Sequence, residues 1–429
     1  MQAPKLEEEF IVRSLMDVDF YKFTMGYFIF ENYRRTTVRF DLINRATEIP
    51  LARIIDEEEL RANLDHVRTL RFRKTDLYYL RGMDVYSKNM FSDEYIQFLA
   101  NLQLPEYGLM RDGDQYILQF QGNWEEVTFW ETIALAIISE LYYRSLMRKM
   151  TQSERNVLYS NATSKLYEKL QTIKRRVPDV KIADFGQRRR HSFLWQKGAI
   201  EMAQEILGDS FTGTSNTYLA FNQDLTPIGT NAHELPMVVT ALVPDSEKKQ
   251  AQYRVLREWG KLYGNGLRIV LPDTYGSEQF FRDMPEDLAY DIAQNWRGMR
   301  QDSGDPFREA DAFYAWISKF GANPKEKVCI FSDGLDWGDI IKWHETYSNS
   351  MNVPFGWGTM LTNDFVDCDP TGNPLFKPFS MVCKVTRANG QPAVKLSNNP
   401  TKATGPKDEI QKYLMIFGNT GFTQQEVKV

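Results

Sequence analysis

The chain has 429 residues, 42% of them hydrophobic and 25% charged, which is ordinary globular usage and excludes disordered, collagen-like and coiled-coil classes. Its 52 Lys and Arg against 57 Asp and Glu leave a net charge of −5, which excludes a general nucleic-acid coat but allows a local basic pocket for anions. Length alone predicts two or three packed units, at roughly 100 to 200 residues each.

The first ten residues are polar and acidic, and the most apolar helical run, residues 133–138, lies between Glu131 and Glu140, so neither a signal peptide nor a membrane span is expected. Asp19-Phe20-Tyr21-Lys22-Phe23-Thr24-Met25 sets aromatics around one lysine. That pattern suits a helix with a partly buried apolar face, or an aromatic platform for a flat ligand ring. Val38, Phe40 and Leu42 alternate with Arg39 and Asp41, and Leu118 and Phe120 with Gln119 and Gln121, which is the period of half-buried strands. Trp130, Ile133, Ala134, Ile137, Ile138 and Leu141 fall on one broad helical face and predict a long connecting helix.

Beyond about Val180 short apolar runs end in polar, Gly-containing clusters, with amphipathic segments after most of them, such as Ala310, Phe313, Tyr314, Ile317 and Trp337, Ile340, Ile341, His344. About seven such strand, loop and helix units predict an α/β fold with an irregular, TIM-like β/α barrel, whose loops converge at one mouth; an open doubly wound sheet is the rival. Residues 381–386 and 393–397 flank Asn389-Gly390, a hairpin signal with Pro392 implying an edge. The hairpin is expected to pack on the N-terminal third. The expected division is residues 1–137 together with 366–429 as an α/β domain, and 138–365 as the barrel. Cys329, Cys368 and Cys383 are an odd number without a CxxC pair, so no disulfide framework or zinc cluster is expected and the location predicted is reducing, hence cytoplasmic.

Several clusters carry chemistry. Arg188, Arg189 and Arg190 follow Gly186 at a strand end, where guanidinium forks suit phosphate or carboxylate, although a solvated helix start has the same look. Asp333-Gly334 and Gly356-Trp357-Gly358-Thr359 sit where barrels place phosphate grips, and are also ordinary turns. Asp273, Asp302, Asp305 and Asp333 suit magnesium or ribose hydroxyls, while helix capping explains Asp305 before Pro306, and Asp273, equally well. Of four histidines, His233 follows a strand end and precedes Glu234, which suits a nucleophile, an acid/base group or a structural residue. His66 and His191 lie among charged residues and read as exposed, and His344 as packed.

Taken in order, the Asp-Phe-Tyr-Lys segment, Phe185-Gly186-Gln187-Arg188-Arg189, Gly213-Thr214-Ser215-Asn216, Gly229-Thr230-Asn231-Ala232-His233-Glu234, Asp302-Ser303-Gly304-Asp305-Pro306, Ser332-Asp333-Gly334, Gly356-Trp357-Gly358-Thr359 and Lys395-Leu396-Ser397 with Pro400 and Lys402 resemble the nicotinate phosphoribosyltransferase family over nearly the whole chain. Val18 and His191 depart from the family's usual residues.

The resemblance implies transfer of phosphoribose from phosphoribosyl pyrophosphate to nicotinate in NAD biosynthesis, with Mg²⁺, coupled to ATP hydrolysis through a phosphohistidine at His233. It implies catalytic roles for His233, Glu234 and Asp302, with Glu234 orienting the imidazole. Tyr21 and Phe185 would sandwich the pyridine ring, with Arg188 beside it. Arg300, Asp302 and Asp273 would bind the phosphoribosyl moiety, and Gly334, Gly356, Gly358 and Thr359 the 5′-phosphate. Ser215 stands where nicotinamide-using relatives carry an aspartate, so a hydroxyl donor there favours the acid. A homodimer with shared active sites is also implied, Tyr21 being contributed across the interface. Rival readings are a nicotinamide or quinolinate transferase, and a barrel that binds a phosphosugar without turnover.

Overall fold

The computed structural model describes residues 10–427. The polar stretch at residues 1–9 lies outside them. An antiparallel sheet is built from β1 (Thr37–Asn44), β2 (Tyr107–Asp112) and β3 (Gln115–Asn123) near the start of the chain, and β10 (Met381–Ala388) and β11 (Gln391–Pro392) near its end. Its order is β11-β10-β1-β3-β2, so β1 is flanked by strands from opposite ends of the sequence. Val38 and Phe40 on β1 and Tyr116, Leu118 and Phe120 on β3 are buried, which is the alternation the sequence predicts.

The hairpin turn forms with Asn389 at φ 46° and Gly390 at φ 78°, the left-handed pair that a two-residue turn requires. Its second arm is shorter than expected. After a last hydrogen bond from Ala393 N to Thr386 O (2.9 Å), the chain leaves the sheet, and Leu396 N donates instead to Thr274 O at 2.9 Å. Pro392 has no N–H to extend the ladder, and Val394 and Leu396 bury in a separate apolar cluster with Tyr275, Tyr413 and Phe417.

Six parallel strands form the second sheet: β4 (Ile182–Asp184), β5 (Phe211–Thr214), β6 (Ile269–Val270), β7 (Gly298–Gln301), β8 (Val328–Phe331) and β9 (Phe355–Trp357). Their order is β5-β4-β9-β8-β7-β6. The first strand therefore pairs with both the second and the last, as a ring requires and an open doubly wound sheet does not. The ring is irregular because β5 and β6 share no ladder. Residues 226–231 fill that seam, with Thr214 N donating to Thr226 O (3.2 Å), Ile228 N to Thr214 O (2.9 Å) and Asn231 Nδ2 to Ile269 O (3.4 Å). This stave delivers His233 to the mouth of the barrel.

The long helix Trp130–Met147 is buried on nearly all sides, rather than on one face, because it lies between β10 and the turn at 187–189. No helix among the described residues is long and apolar enough to cross a membrane.

The segment before the first helix (Tyr21–Asn32) is fastened to the barrel. Phe20 N donates to Ser215 O (2.7 Å) and Thr217 N to Val18 O (3.0 Å). Asp17 takes a two-pronged bond from Arg190, at 2.7 and 2.8 Å, and a third from Asn216 Nδ2 at 2.8 Å. Arg190 is fully buried, so only two members of the arginine triplet remain for an anion. His191, expected to be exposed, is equally buried: its ring stacks on Phe365 at 3.7 Å and its Nε2 meets the Tyr159 hydroxyl at 3.1 Å. Burial drives its pKa down to about 3, so the ring is neutral. His66 is half-buried against Phe10, at 3.8 Å between ring centres.

Replacing one partner of a buried ion pair strands the other, so Asp17→Ala is expected to lower stability by about 3–5 kcal/mol. At the helix cap, where Asp305 accepts from Arg308 N, Asp305→Ala should cost only about 1 kcal/mol. Urea denaturation of the two variants checks the contrast; equal losses would show that Asp17 carries no special load.

Candidate active site

The strand ends of the barrel open on one cavity. Phe185, Gly186, Arg188 and Arg189 reach it from β4, His233 from the seam, Arg300 and Asp302 from β7, Asp333 and Gly334 from β8, and Gly358 and Thr359 from β9. The antiparallel sheet closes the other side with Arg45, Ser380, Val382 and Lys384, and the C-terminal segment adds Lys395, Lys402 and Val427. That last segment is held by Asn399, whose Nδ2 donates to Gln425 O (2.9 Å) while its Oδ1 accepts from Gln425 N (3.2 Å).

Of the thirteen residues to which the resemblance gives a site role, Tyr21, Phe185, Arg188, His233, Arg300, Asp302, Gly334, Gly358 and Thr359 line this cavity together. Four others stand behind the wall. Gly356 lies against the ring of Phe185, which a Cβ there would strike, so it makes room for the aromatic rather than facing the cavity. Asp273 is 1% exposed beneath His233. Ser215 spends its hydroxyl on Asp19 Oδ1 at 2.6 Å, so any effect on a ligand passes through that carboxyl, which burial raises to about pH 6. Glu234 points away from the imidazole, its carboxylate taken by Lys22 Nζ (2.6 Å) and Trp124 Nε1 (2.7 Å). Tyr21, expected from a neighbouring subunit, lines the cavity of its own chain, because the bonds from Val18 and Phe20 to the loop at 215–217 fold this segment back on its own barrel.

His233 is oriented from two sides. Its Nδ1 meets Thr274 Oγ1 at 2.9 Å and its Nε2 meets Asp302 Oδ2 at 3.0 Å, with Asp273 Oδ1 at 3.6 Å. Burial, helped by Lys395, outweighs both carboxylates and lowers the imidazole pKa to about 4. Asp302 is driven the other way: burial raises its carboxyl, but the bond to His233 and the charge of Arg300 hold it well below the usual range. A neutral imidazole beside an ionised carboxylate puts the ring proton on Nε2.

Lys384 and Arg45 are wall residues that no motif reveals, whereas Lys395 and Lys402 come from the C-terminal segment that carries part of the resemblance. The one sequence signal for Lys384 is a charge set between the apolar residues Cys383 and Val385 of strand β10. Seven Arg and Lys side chains line the cavity against two aspartates, so its field is positive inside a protein of net charge −5. Burial lowers Lys395 to about 8 and Arg189 to about 10, with neighbouring cations adding to the shift in both. His233, Asp273 and Asp302 offer ligand atoms within 4.8 Å of one another, and Asp273 Oδ1 has no hydrogen-bond partner, so the carboxylate pair suits a hard divalent cation.

Comparison with known proteins gives this geometry a relationship. The nicotinate phosphoribosyltransferase (NAPRTase) family matches residues 180–422, and its N-terminal domain matches residues 16–139. A nicotinate phosphoribosyltransferase from Vibrio cholerae is 29% identical with a TM-score of 0.85, covering 96% of this chain and 95% of its own. The enzyme from Porphyromonas gingivalis is 27% identical with a TM-score of 0.82, covering 95% of this chain and 100% of its own. A putative nicotinate phosphoribosyltransferase of Saccharomyces cerevisiae, 24% identical with a TM-score of 0.84 over 96% of this chain and 100% of its own, shares the fold. The chain belongs to the nicotinate phosphoribosyltransferase family.

Proposed function

We propose that this chain joins nicotinate to the ribose of phosphoribosyl pyrophosphate, and that ATP hydrolysis is coupled to the step through phosphorylation of His233. The observation that carries the reading is one cavity walled by Tyr21, Phe185 and Arg188, by His233 and Asp302, and by the turns at Gly334 and Gly358. The pyridine nitrogen attacks the anomeric carbon, the carbon–oxygen bond to pyrophosphate breaks, and pyrophosphate leaves with the electron pair. Positive charge builds on the sugar and negative charge on the leaving group, which preorganised carboxylates and guanidinium groups stabilise without reorganising. Arg188 beside the aromatic walls gives the nicotinate carboxylate a cationic partner; burial disfavours its charge, but Tyr21, Asp19 and Glu131 outweigh that cost and keep the guanidinium protonated.

In the coupled step the unprotonated imidazole Nδ1 turns its lone pair from Thr274 to the γ-phosphorus of ATP, the bond to the ADP oxygen breaks with ADP leaving on the electron pair, and the Nε2 proton passes to Asp302 Oδ2. Asp302 and Asp273, with phosphate oxygens, would hold Mg²⁺, which supplies charge neutralisation for the leaving pyrophosphate. Glu234 takes no part at the ring.

The activity is checked by incubating nicotinate and phosphoribosyl pyrophosphate with the protein, with and without ATP, and measuring nucleotide and pyrophosphate; no product above the enzyme-free control overturns it. Asp302→Ala is expected to lower kcat/KM by about 10²–10³, the scale of losing one preorganised charge contact at a transition state. The depressed pKa of His233 sets a pH signature. Protonation blocks the nucleophile, and the ring stays unprotonated until about pH 4, so labelling of His233 by γ-labelled ATP should persist through pH 6 and fail only near pH 4. Loss of label centred on pH 6.5, or full labelling of His233→Ala, rejects the assignment.

A further inference from the structure

Glu131, in the first turn of helix Trp130–Met147, is 2% exposed and stands off the cavity wall. Its carboxylate is nevertheless approached by three residues that line the cavity from three separate segments. The Tyr21 hydroxyl donates to Oε2 at 3.1 Å, Lys384 Nζ lies 3.4 Å from Oε1, and Arg188 Nη1 lies 3.9 Å from Oε1. A third cation, the fully buried Lys22, reaches Oε2 at 2.6 Å. Its ammonium has three protons and three acceptors: Glu131, Glu234 Oε2 at 2.6 Å and Thr128 Oγ1 at 3.2 Å. Glu234 follows His233 in the chain and is fixed at its other oxygen by Trp124.

Buried charges persist only when each is compensated, and a network with every member satisfied is rigid. Burial alone would raise the Glu131 carboxyl, but Lys22, Lys384 and Arg188 hold it well below the usual range. Pinning the first helix to its neighbours needs only the Lys22 pair. The additional reach of Tyr21, Arg188 and Lys384 is what a purely structural pair does not explain.

We propose that Glu131 is a positioning residue for the transfer reaction: it fixes Tyr21, Arg188 and Lys384 on the cavity wall and, through Lys22 and Glu234, ties them to the segment carrying His233. The assignment rests on the activity proposed above.

Two roles for Glu131 predict opposite signs. As a mere countercharge, its loss in Glu131→Gln would leave the cavity more positive and tighten binding of anions. As a positioning residue, the same variant should raise the KM for nicotinate about tenfold, the scale of losing charged hydrogen bonds, with kcat nearly unchanged. Calorimetric binding of inorganic pyrophosphate should weaken with it. Tighter or unchanged binding of both overturns the proposal. The pyrophosphate titration needs no turnover, so a wild-type protein that forms no nucleotide defeats the activity and leaves this measurement readable. If Glu131→Gln does not fold, Thr128→Val takes one acceptor from Lys22 without altering any charge or the wall. A rise of about threefold in nicotinate KM is then expected, and an unchanged KM overturns the assignment.

Discussion

The paired bond between Asp17 and Arg190 decides where the first helix begins. Both side chains are buried at the barrel mouth, and the contact is doubled by Gln187, whose Nε2 donates to Asp17 O at 3.0 Å. With Asp17 held there, Asp19 bridges to Asn216, and Tyr21 and Lys22 start the helix directly over the strand ends. One face of the cavity is therefore a consequence of a contact that never meets solvent. The same contact removes a guanidinium from the anion site, since Arg190 cannot serve both purposes.

Charge in this molecule is sorted by depth. The outer surface carries the excess of acids, while the cavity gathers Arg45, Arg188, Arg189, Arg300, Lys384, Lys395 and Lys402. Burying so many cations together is unfavourable, and the values at Lys395 and Arg189, depressed mainly by burial and further by neighbouring cations, are the local expression of that cost. Anionic substrate phosphates relieve it, so a field that strains the free protein becomes attraction for the ligand.

What sequence reveals here follows the range of the underlying physics. Strand alternation in β1 and β3, the turn at Asn389-Gly390 and the Asp305 cap are local, and they are legible in a few consecutive residues. The convergence of Phe185, His233, Asp302 and Gly358 is legible too, because parallel strands with short loops leave their ends on one side. Arg190 and His191 mislead because a charged neighbourhood in sequence says nothing of burial by Asp17, Tyr159 and Phe365, which arrive from elsewhere. Ser215 and Glu234 show the same limit: type and place are readable, but the partner that claims each polar group lies roughly two hundred positions away, at Asp19 and Lys22. The seam at residues 226–231 escapes because its pairing is too sparse to leave a periodic signature.

The antiparallel sheet has a consequence for biogenesis. Thr37 N donates to Asn389 Oδ1 across 352 positions, and β1 is covered on one side only when β10 arrives. At about 5–20 residues per second, a ribosome needs on the order of 20 to 70 s to supply the missing strand. Throughout that interval nascent β1 keeps a bare row of amides along the edge that β10 later pairs, with β3 alone beside it until β10 has been made.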